Sequence, residues 1–377
     1  MRLTPRALNR ATLERQSLLR RARIGVVEAT HRVMALQAQE PASPYVALWN
    51  RVADFDPTSL DAAFADHSIV KATVMRATLH AVDATDYPTF HEAMQRTLRA
   101  PRLWDPRFTK AGLSIPATDA LVRDAVAFSA EPRLNAEMEA WIDERFGELP
   151  KPGPWWAMRT FGPFVHHPTG GPWSFGPRPR YVAAPAQDRP GDPHASLQWL
   201  VRRYLAAFGP ASVKDIAQFA MLYRPPLREA VDALRDTLEQ LEGPDGGELL
   251  DVPGGAFSPD DAPAPARLLG MWDSVLLAYA DRSRIVPADY RKLVTRTNGD
   301  VLPTLLVDGY VAGVWRPVDD GIEATAFERL PPEAWAGLDD EARALRGFLA
   351  DREPAIYRRY ARWWTDLPSA EVRLLGV

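Results

Sequence analysis

Two carboxamides stand out as chemistry-bearing groups, Gln37 and Gln39, separated by Ala38 and followed by Glu40-Pro41. Side chains two apart do not share a face of an α-helix, where neighbours are three or four apart. They do share a face of an extended chain, where side chains alternate with period two. Pro41 biases Glu40 away from the helical region. The stretch therefore reads as two amides presented together at a helix exit. An amide both donates and accepts hydrogen bonds. A pair aimed at one water would orient it without acting as a strong base. Glu40 is a candidate supporting carboxylate, read first as a helix-end charge. Arg76 and His80 lie on a β-branched segment some forty residues on and are candidate supports.

What is missing narrows the chemistry. The 377 residues include no cysteine, which excludes disulfides, thiolate-bound metals and cysteine nucleophiles. No phosphate loop, strand-following GxGxxG or HExxH is present. His166 and His167 are adjacent and would point apart in a strand, so they make a poor metal pair. No metal or cofactor is expected. No lysine stands beside the glutamines, which argues against Schiff-base chemistry. Trp155-Trp156 and Trp363-Trp364 read as packing aromatics before base-stacking ones.

The formal net charge is −4, but the charges are unevenly spread. Eight arginines among residues 1–32 face only Glu14 and Glu28. Further basic stretches cover 96–110 and 282–296, while acidic residues gather in 227–261 and 318–343. An acidic total with separate basic patches suits one basic face toward nucleic acid. Arg20, Arg21, Arg32, His166, His167, Arg282 and Arg284 are the candidate DNA contacts. No apolar run is long enough to span a bilayer, and no apolar signal core follows the basic N-terminus; a cytoplasmic protein is expected.

The elements that must position these groups follow from pattern. Helices are predicted over 5–23, 26–36, 45–52 and 60–64, and then two strand-like segments over 69–75 and 76–82. Helices followed by a strand pair are the order of a winged helix. Further helices are expected over 83–99, 117–128 and 136–146. A wing-like hairpin is expected around 165–182, with a linker at 188–193. Gly209-Pro210 stops a helix over 197–208, and Ser212 caps one over 213–220. A helix over 227–241 and a short strand at 248–252 complete the clearest helix-turn-helix signal. From 263 onward the texture turns to β. Strands are expected over 275–279, 301–307 and 310–315, with Asp308-Gly309 as a turn, before a helix over 341–348. The predicted class is α+β, in four units: 1–116, 117–190, 191–262 and 263–377. The last is expected to be a β-barrel or sandwich.

Several stretches resemble one family. Gln37-Ala38-Gln39 with Glu40-Pro41 and Tyr45, and Arg76-Ala77-Thr78-Leu79-His80, look like the AlkZ/YcaQ group of bacterial winged-helix DNA glycosylases. So do residues 204–212, 276–284 and 309–315. The double-glutamine form resembles the branch linked to self-resistance in antibiotic-producing actinomycetes. The resemblance implies tandem winged helices in a C-shape, a C-terminal β-barrel and a double-stranded DNA partner. It also implies monofunctional excision of N7-alkylguanine, including azinomycin-type interstrand crosslinks, by water held between Gln37 and Gln39. A monomer is expected, because several winged helices already span a duplex. The rival readings are a non-enzymatic winged-helix regulator and a drug-sequestering protein.

Overall fold

The N-terminal helix starts where its sequence says it should. Thr4 accepts a hydrogen bond from the Ala7 amide at 2.9 Å, and Pro5 occupies the first helical position, where a missing N–H costs nothing. The helix Pro5–Arg15 ends well short of residue 23, because Ser17 takes a left-handed φ of 54°. Arg10 and Arg15 point inward, whereas Arg6 stays half-exposed. Arg15 forms a two-pronged pair with Asp251 (2.7 Å to each oxygen), and Arg10 pairs with Asp308. These contacts tie the first helix to the second half of the chain. The computed structural model describes residues 2–185, 191–365 and 367–377. Positions 188–190 of the expected linker lie outside them, and Pro193 already begins a helix.

Strands β1 (Leu36–Gln37), β2 (Ile69–Thr73), β3 (Leu79–Asp83), β4 (Arg133–Leu134), β5 (Phe164–His167) and β6 (Arg180–Ala183) form one antiparallel sheet. Their spatial order is β1-β3-β2-β5-β6-β4. The strands expected in two separate units thus join across the single pair Lys71–His166. The boundary at 116/117 falls between segments that share a sheet. The hairpin expected as a protruding wing, β5–β6, sits inside this sheet. Helices Ser43–Arg51, Pro57–Ala65, Tyr87–Leu103, Ile115–Phe128, Asn135–Phe146 and Gly153–Phe161 surround it. The last was not anticipated; it buries Trp155, while Arg102 and Arg107 stack on Trp156.

Three helices, Pro193–Phe208, Val213–Ala220 and Arg224–Leu234, follow, and then the hairpin β7 (Glu239–Glu242) and β8 (Glu248–Asp251). Ser212 and Asp215 cap each other's backbone at the start of the second helix, at 3.2 and 2.9 Å. The third helix ends at Leu234, not 241, and a 3₁₀ turn, Arg235–Thr237, leads into β7.

The C-terminal part is an open antiparallel sheet, not a closed barrel. Strands β9 (Arg267–Leu269), β10 (Thr304–Val307), β11 (Tyr310–Val318), β12 (Gly321–Ala326) and β13 (Glu371–Leu375) run in the order β13-β12-β11-β10-β9. β9 and β13 are its two edges. Asp308 (φ 47°) and Gly309 (φ 82°) make the expected tight turn between β10 and β11. The expected strand at 275–279 is instead a short 3₁₀ turn, Ser274–Leu276. Asp273 accepts from the Val275 amide at 3.2 Å, which satisfies the backbone locally, and Tyr279 anchors the run by donating to the Phe208 carbonyl at 2.7 Å. Helix Pro332–Ala350 covers the sheet. One buried apolar cluster includes residues from Leu13 to Leu375.

Asp251 is fully buried and its partner Arg15 nearly so, with 5% exposure. Removing one member of such a pair strands the other, at about 3–5 kcal/mol. Asp251→Ala is therefore expected to lower the denaturant midpoint sharply, as measured by circular dichroism.

Candidate active site

The segment carrying the glutamines leaves its helix early. Helix Val26–Arg32 stops at Met34, which adopts a left-handed φ of 71°, seven residues before Pro41. The chain is extended when it reaches Gln37, so the expected geometry arises, but Met34 rather than Pro41 sets it. Gln37 lies directly opposite His80 on β3. The neighbouring Ala38 amide donates to the Leu79 carbonyl at 2.8 Å. That makes Gln37–His80 a non-hydrogen-bonded pair, the kind with closer side chains.

Arg76 completes this cluster from the β2–β3 connection, not from a strand as the sequence suggests. It and Ala77 hold left-handed φ values of 55° and 53°. Such a backbone is costly for residues with a Cβ and persists where the surroundings impose it. The guanidinium donates to the Phe219 carbonyl at 2.8 Å, reaches Gln37 Oε1 at 3.4 Å and His80 Nε2 at 3.2 Å, and lies over the Phe219 ring. Among the described residues no carboxylate pairs with it. Burial, aided by the nearby Arg282 charge, lowers its pKa to about 10, so it remains a cation at neutral pH.

His80 is fully buried and is held as the neutral ring. Burial, then the Arg76 charge, pushes its pKa down to about 3 against the opposing Thr78 hydrogen bond. Its Nδ1 lies 3.0 Å from the Thr78 carbonyl, which only accepts. Nδ1 therefore carries the proton, and Nε2 accepts from Arg76. His80 orients neighbours and does not serve as an acid. The Gln37 amide contacts Thr78 Oγ1 and Arg76 only at 3.4 Å. These are long contacts at the outer edge of hydrogen-bond range. The amide thus keeps donor and acceptor capacity for another partner.

Gln39 stands apart from this cluster. β1 ends at Gln37, and Gln39 lies in an exposed bend. It borders a cavity of about 310 Å³ together with Glu40, Lys71, Leu79, His166 and His167. Lys71, Leu79 and His166 occupy the sheet face opposite that of Gln37 and His80, as the pairing register requires. Glu40 is held by the Arg359 guanidinium and by the Tyr360 hydroxyl at 2.9 Å, so its charge is already matched. Tyr45 is buried, with its hydroxyl hydrogen-bonded to Asp61 at 2.5 Å and Ser174 at 2.7 Å, which anchors the helix behind the glutamines.

The fold and sequence have known counterparts. The family model described as DNA glycosylase AlkZ-like matches residues 30–348. The chain belongs to the AlkZ-like DNA glycosylase family. The interstrand DNA cross-link repair glycosylase of Streptomyces sahachiroi is 26% identical over 346 residues, covering 85% of this chain and 91% of that protein. The solved structure of Streptomyces sahachiroi DNA glycosylase AlkZ superposes with a TM-score of 0.80 at 21% identity, over 94% of this chain and 99% of the other. The AlkZ-like fold is therefore shared nearly end to end.

Within this AlkZ-like chain, the candidate DNA contacts divide. Arg20 is exposed. Arg21 is engaged by Glu341 at 2.6 Å and stacks on Trp49, so it works as a structural clamp. Arg32 pairs with Glu28 one helical turn away. Arg282 lies near Arg76 and donates to Thr295 at 2.7 Å; Arg284 stacks on Tyr279 and donates to the Pro210 carbonyl at 2.9 Å. His166 packs beside Tyr181, and burial, then Lys71, drives its pKa to about 3. His167 lies beside His67. Neither histidine occupies a protruding wing. Among the described residues no cluster of His, Asp and Glu could hold a metal, and no helix is long and apolar enough to cross a membrane.

Sequence reasoning missed three participants. Thr78 and Phe219 carry no chemical signature. Lys71 does, but it is remote in sequence, and only the β2–β5 pairing brings it into the Gln39 cavity. A lysine does therefore share a cavity with the motif, contrary to the sequence-based expectation. Lys71 is 4% exposed, sits over the Phe175 ring at 4.3 Å, and has no acidic partner among the described residues. Burial lowers its pKa to about 8. Because the unfolded lysine holds its proton up to about pH 10.5, the folded state bears a charge penalty on the order of 3 kcal/mol below pH 8. That penalty fades as pH rises from 8 to 10.5. Lys71→Met is expected to melt higher than the native protein at pH 7, with the gap closing toward pH 10. A gap independent of pH would show that the amine is not buried as a cation.

Proposed function

We propose that this chain hydrolyses the N-glycosidic bond of N7-alkylguanine in duplex DNA, with interstrand crosslinks among its substrates. Membership of the AlkZ-like family supports glycosylase activity. The role of the Streptomyces sahachiroi relative, interstrand cross-link repair, supports the substrate class. The observation that carries the reading is the loosely held Gln37 amide beside the Arg76 cation, which has the Arg282 charge nearby, with no strong acid at hand. Alkylation at N7 makes guanine cationic and a good leaving group. The enzyme then need not protonate the base, which agrees with a neutral His80 and a matched Glu40. It needs a water held near C1′ as oxocarbenium character develops on the sugar. An amide can orient that water, and positioning is the main source of rate.

Gln37 and Gln39 are the residues assigned to this water; because β1 ends between them, the reading requires the exposed Gln39 bend to turn toward Gln37 when the duplex binds. Arg76 and His80 hold Gln37 rather than react. The three-helix and hairpin segment at 193–251 has the element order of a winged helix, which supports duplex DNA as partner. The Arg76 and Arg282 charges would attract phosphates. A base tied to both strands cannot rotate out freely, so the active segment must approach the duplex instead. The double-glutamine form supports a self-resistance role against a crosslinking natural product, carried out by a monomer acting on chromosomal DNA.

Release of N7-methylguanine and unhooking of a crosslinked duplex test the reading under single-turnover conditions. Native protein is expected to excise. Gln37→Ala and Gln39→Ala are each expected to lose roughly a hundredfold in rate with duplex binding near native. A native protein that excises nothing yet binds one operator sequence would establish the regulator instead. Tight calorimetric binding of free drug without DNA or excision would favour sequestration.

A further inference from the structure

The helix that meets Arg76 ends on a residue its own packing does not need. We propose that Met221 is a wedge that enters the base stack beside the alkylated guanine and opens that step, so that the Gln37 segment reaches C1′ while the base stays in the duplex. This rests on the glycosylase reading above, because it concerns how the same site reaches its substrate. The helix Val213–Ala220 is closed by Met221 in the left-handed region, at φ 56° and ψ 45°. Glycine, and less often asparagine, is the usual residue there, because a Cβ is strained in that conformation. Burial does not offset the strain, since Met221 is 56% exposed. A strained backbone that presents an apolar side chain to solvent points to a role outside the fold. The surroundings fix its position. Thr97 Oγ1 donates to the Met221 carbonyl at 3.0 Å, and the Leu222 amide donates to the Ala217 carbonyl at 3.0 Å. Two residues earlier, the Phe219 carbonyl accepts from Arg76 at 2.8 Å, which places Met221 within one helical turn of the group that contacts Gln37.

Charge around Met221 selects a nucleic acid as what it enters. Tyr223 is 41% exposed and carries the Arg96 guanidinium over its ring at 4.4 Å. Arg224 opens the following helix, Arg224–Leu234, and is exposed. Among the described residues neither Arg96 nor Arg224 has a carboxylate partner. Two uncommitted cations beside an exposed apolar side chain match the phosphates that border a base step. Methionine is among the apolar residues that proteins insert between base pairs, partially unstacking them and kinking the duplex. Its unbranched thioether adapts to irregular surroundings, which suits steps of different sequence. The arrangement also fits a crosslink. A base tied to both strands cannot rotate out, but the step beside it can open, because unstacking breaks no covalent tie.

Stopped-flow fluorescence of 2-aminopurine tests the proposal on the full chain, with a duplex that holds one N7-methylguanine and the probe at each flanking position in turn. Native protein at saturation is expected to raise the emission roughly threefold at one of these positions, in a phase that precedes base release. Met221→Gly removes the side chain and relaxes the left-handed turn, so the fold is kept. It should lose most of the rise and slow single-turnover excision roughly tenfold. Met221→Leu keeps an apolar side chain of similar volume and should bring both readouts to within about twofold of native. No rise from native protein at any flanking position overturns the proposal. A Met221→Gly protein that matches native in either the rise or the rate does the same, and so does a Met221→Leu protein as impaired as Met221→Gly. The rise is read before base release. A native protein that opens the step without excising therefore rejects the glycosylase reading alone, and one that excises without opening it rejects the wedge alone.

Discussion

The site depends on one partly buried cation without a counter-charge among the described residues. The Arg76 guanidinium joins three parts of the chain: the β2–β3 connection that carries it, the Gln37–His80 pair on the first sheet, and the Phe219 carbonyl and ring on the helix Val213–Ala220. A partly desolvated charge with no carboxylate carries a cost, which neutral acceptors such as the Phe219 carbonyl offset. The left-handed backbone at Arg76 and Ala77 is the conformation that delivers the guanidinium to them. Burial, together with the same charge, keeps His80 neutral, and the Thr78 carbonyl at Nδ1 leaves Nε2 as the accepting nitrogen. Local strain, ring tautomer and amide position are thus one arrangement rather than three.

Other buried ion pairs hold the frame in which that arrangement sits. Arg51 forms a two-pronged pair with Asp273, at 2.7 and 2.8 Å, and Ser274 donates to the Ala35 carbonyl at 3.0 Å, immediately before β1. Arg15 with Asp251, and Arg10 with Asp308, draw the first helix against the helical segment and the C-terminal sheet. Arg10, Arg15 and Arg21 of the arginine-rich N-terminus are therefore internal wiring, while Arg2, Arg20, Arg23 and Arg32 stay at the surface. Among the described residues neither Arg76 nor Lys71 has a carboxylate partner; they lie toward opposite faces of the same sheet, and both border the candidate chemistry.

Much of this was legible in the sequence where local rules dominate. Ser212 with Asp215, Asp308-Gly309, and the Gly209-Pro210 stop behaved as caps, turns and breakers do. The extended conformation at Gln37 followed from the spacing, although Met34 imposed it. What could not be read was long-range. The union of two expected units in one sheet depends on a single pairing, Lys71 with His166. The apolar run at 275–279 was ambiguous because a buried turn and a buried strand share its composition. The expected barrel stayed open because β9 and β13 remain edges. The inward arginines looked like phosphate contacts because their partners, Asp251, Asp308 and Glu341, lie hundreds of residues away. The two glutamines, two apart in sequence, border different surroundings because β1 ends between them.

The measurement that bears most directly on the central claim is a double-mutant cycle on Gln37 and Gln39, read as single-turnover excision of N7-methylguanine at matched DNA occupancy. Two amides that hold one water act as a unit, so removing either should forfeit most of what the pair provides. The account predicts that Gln37→Ala/Gln39→Ala loses little more rate than the worse single variant. Losses that multiply, or a double variant that excises at the native rate, would contradict it.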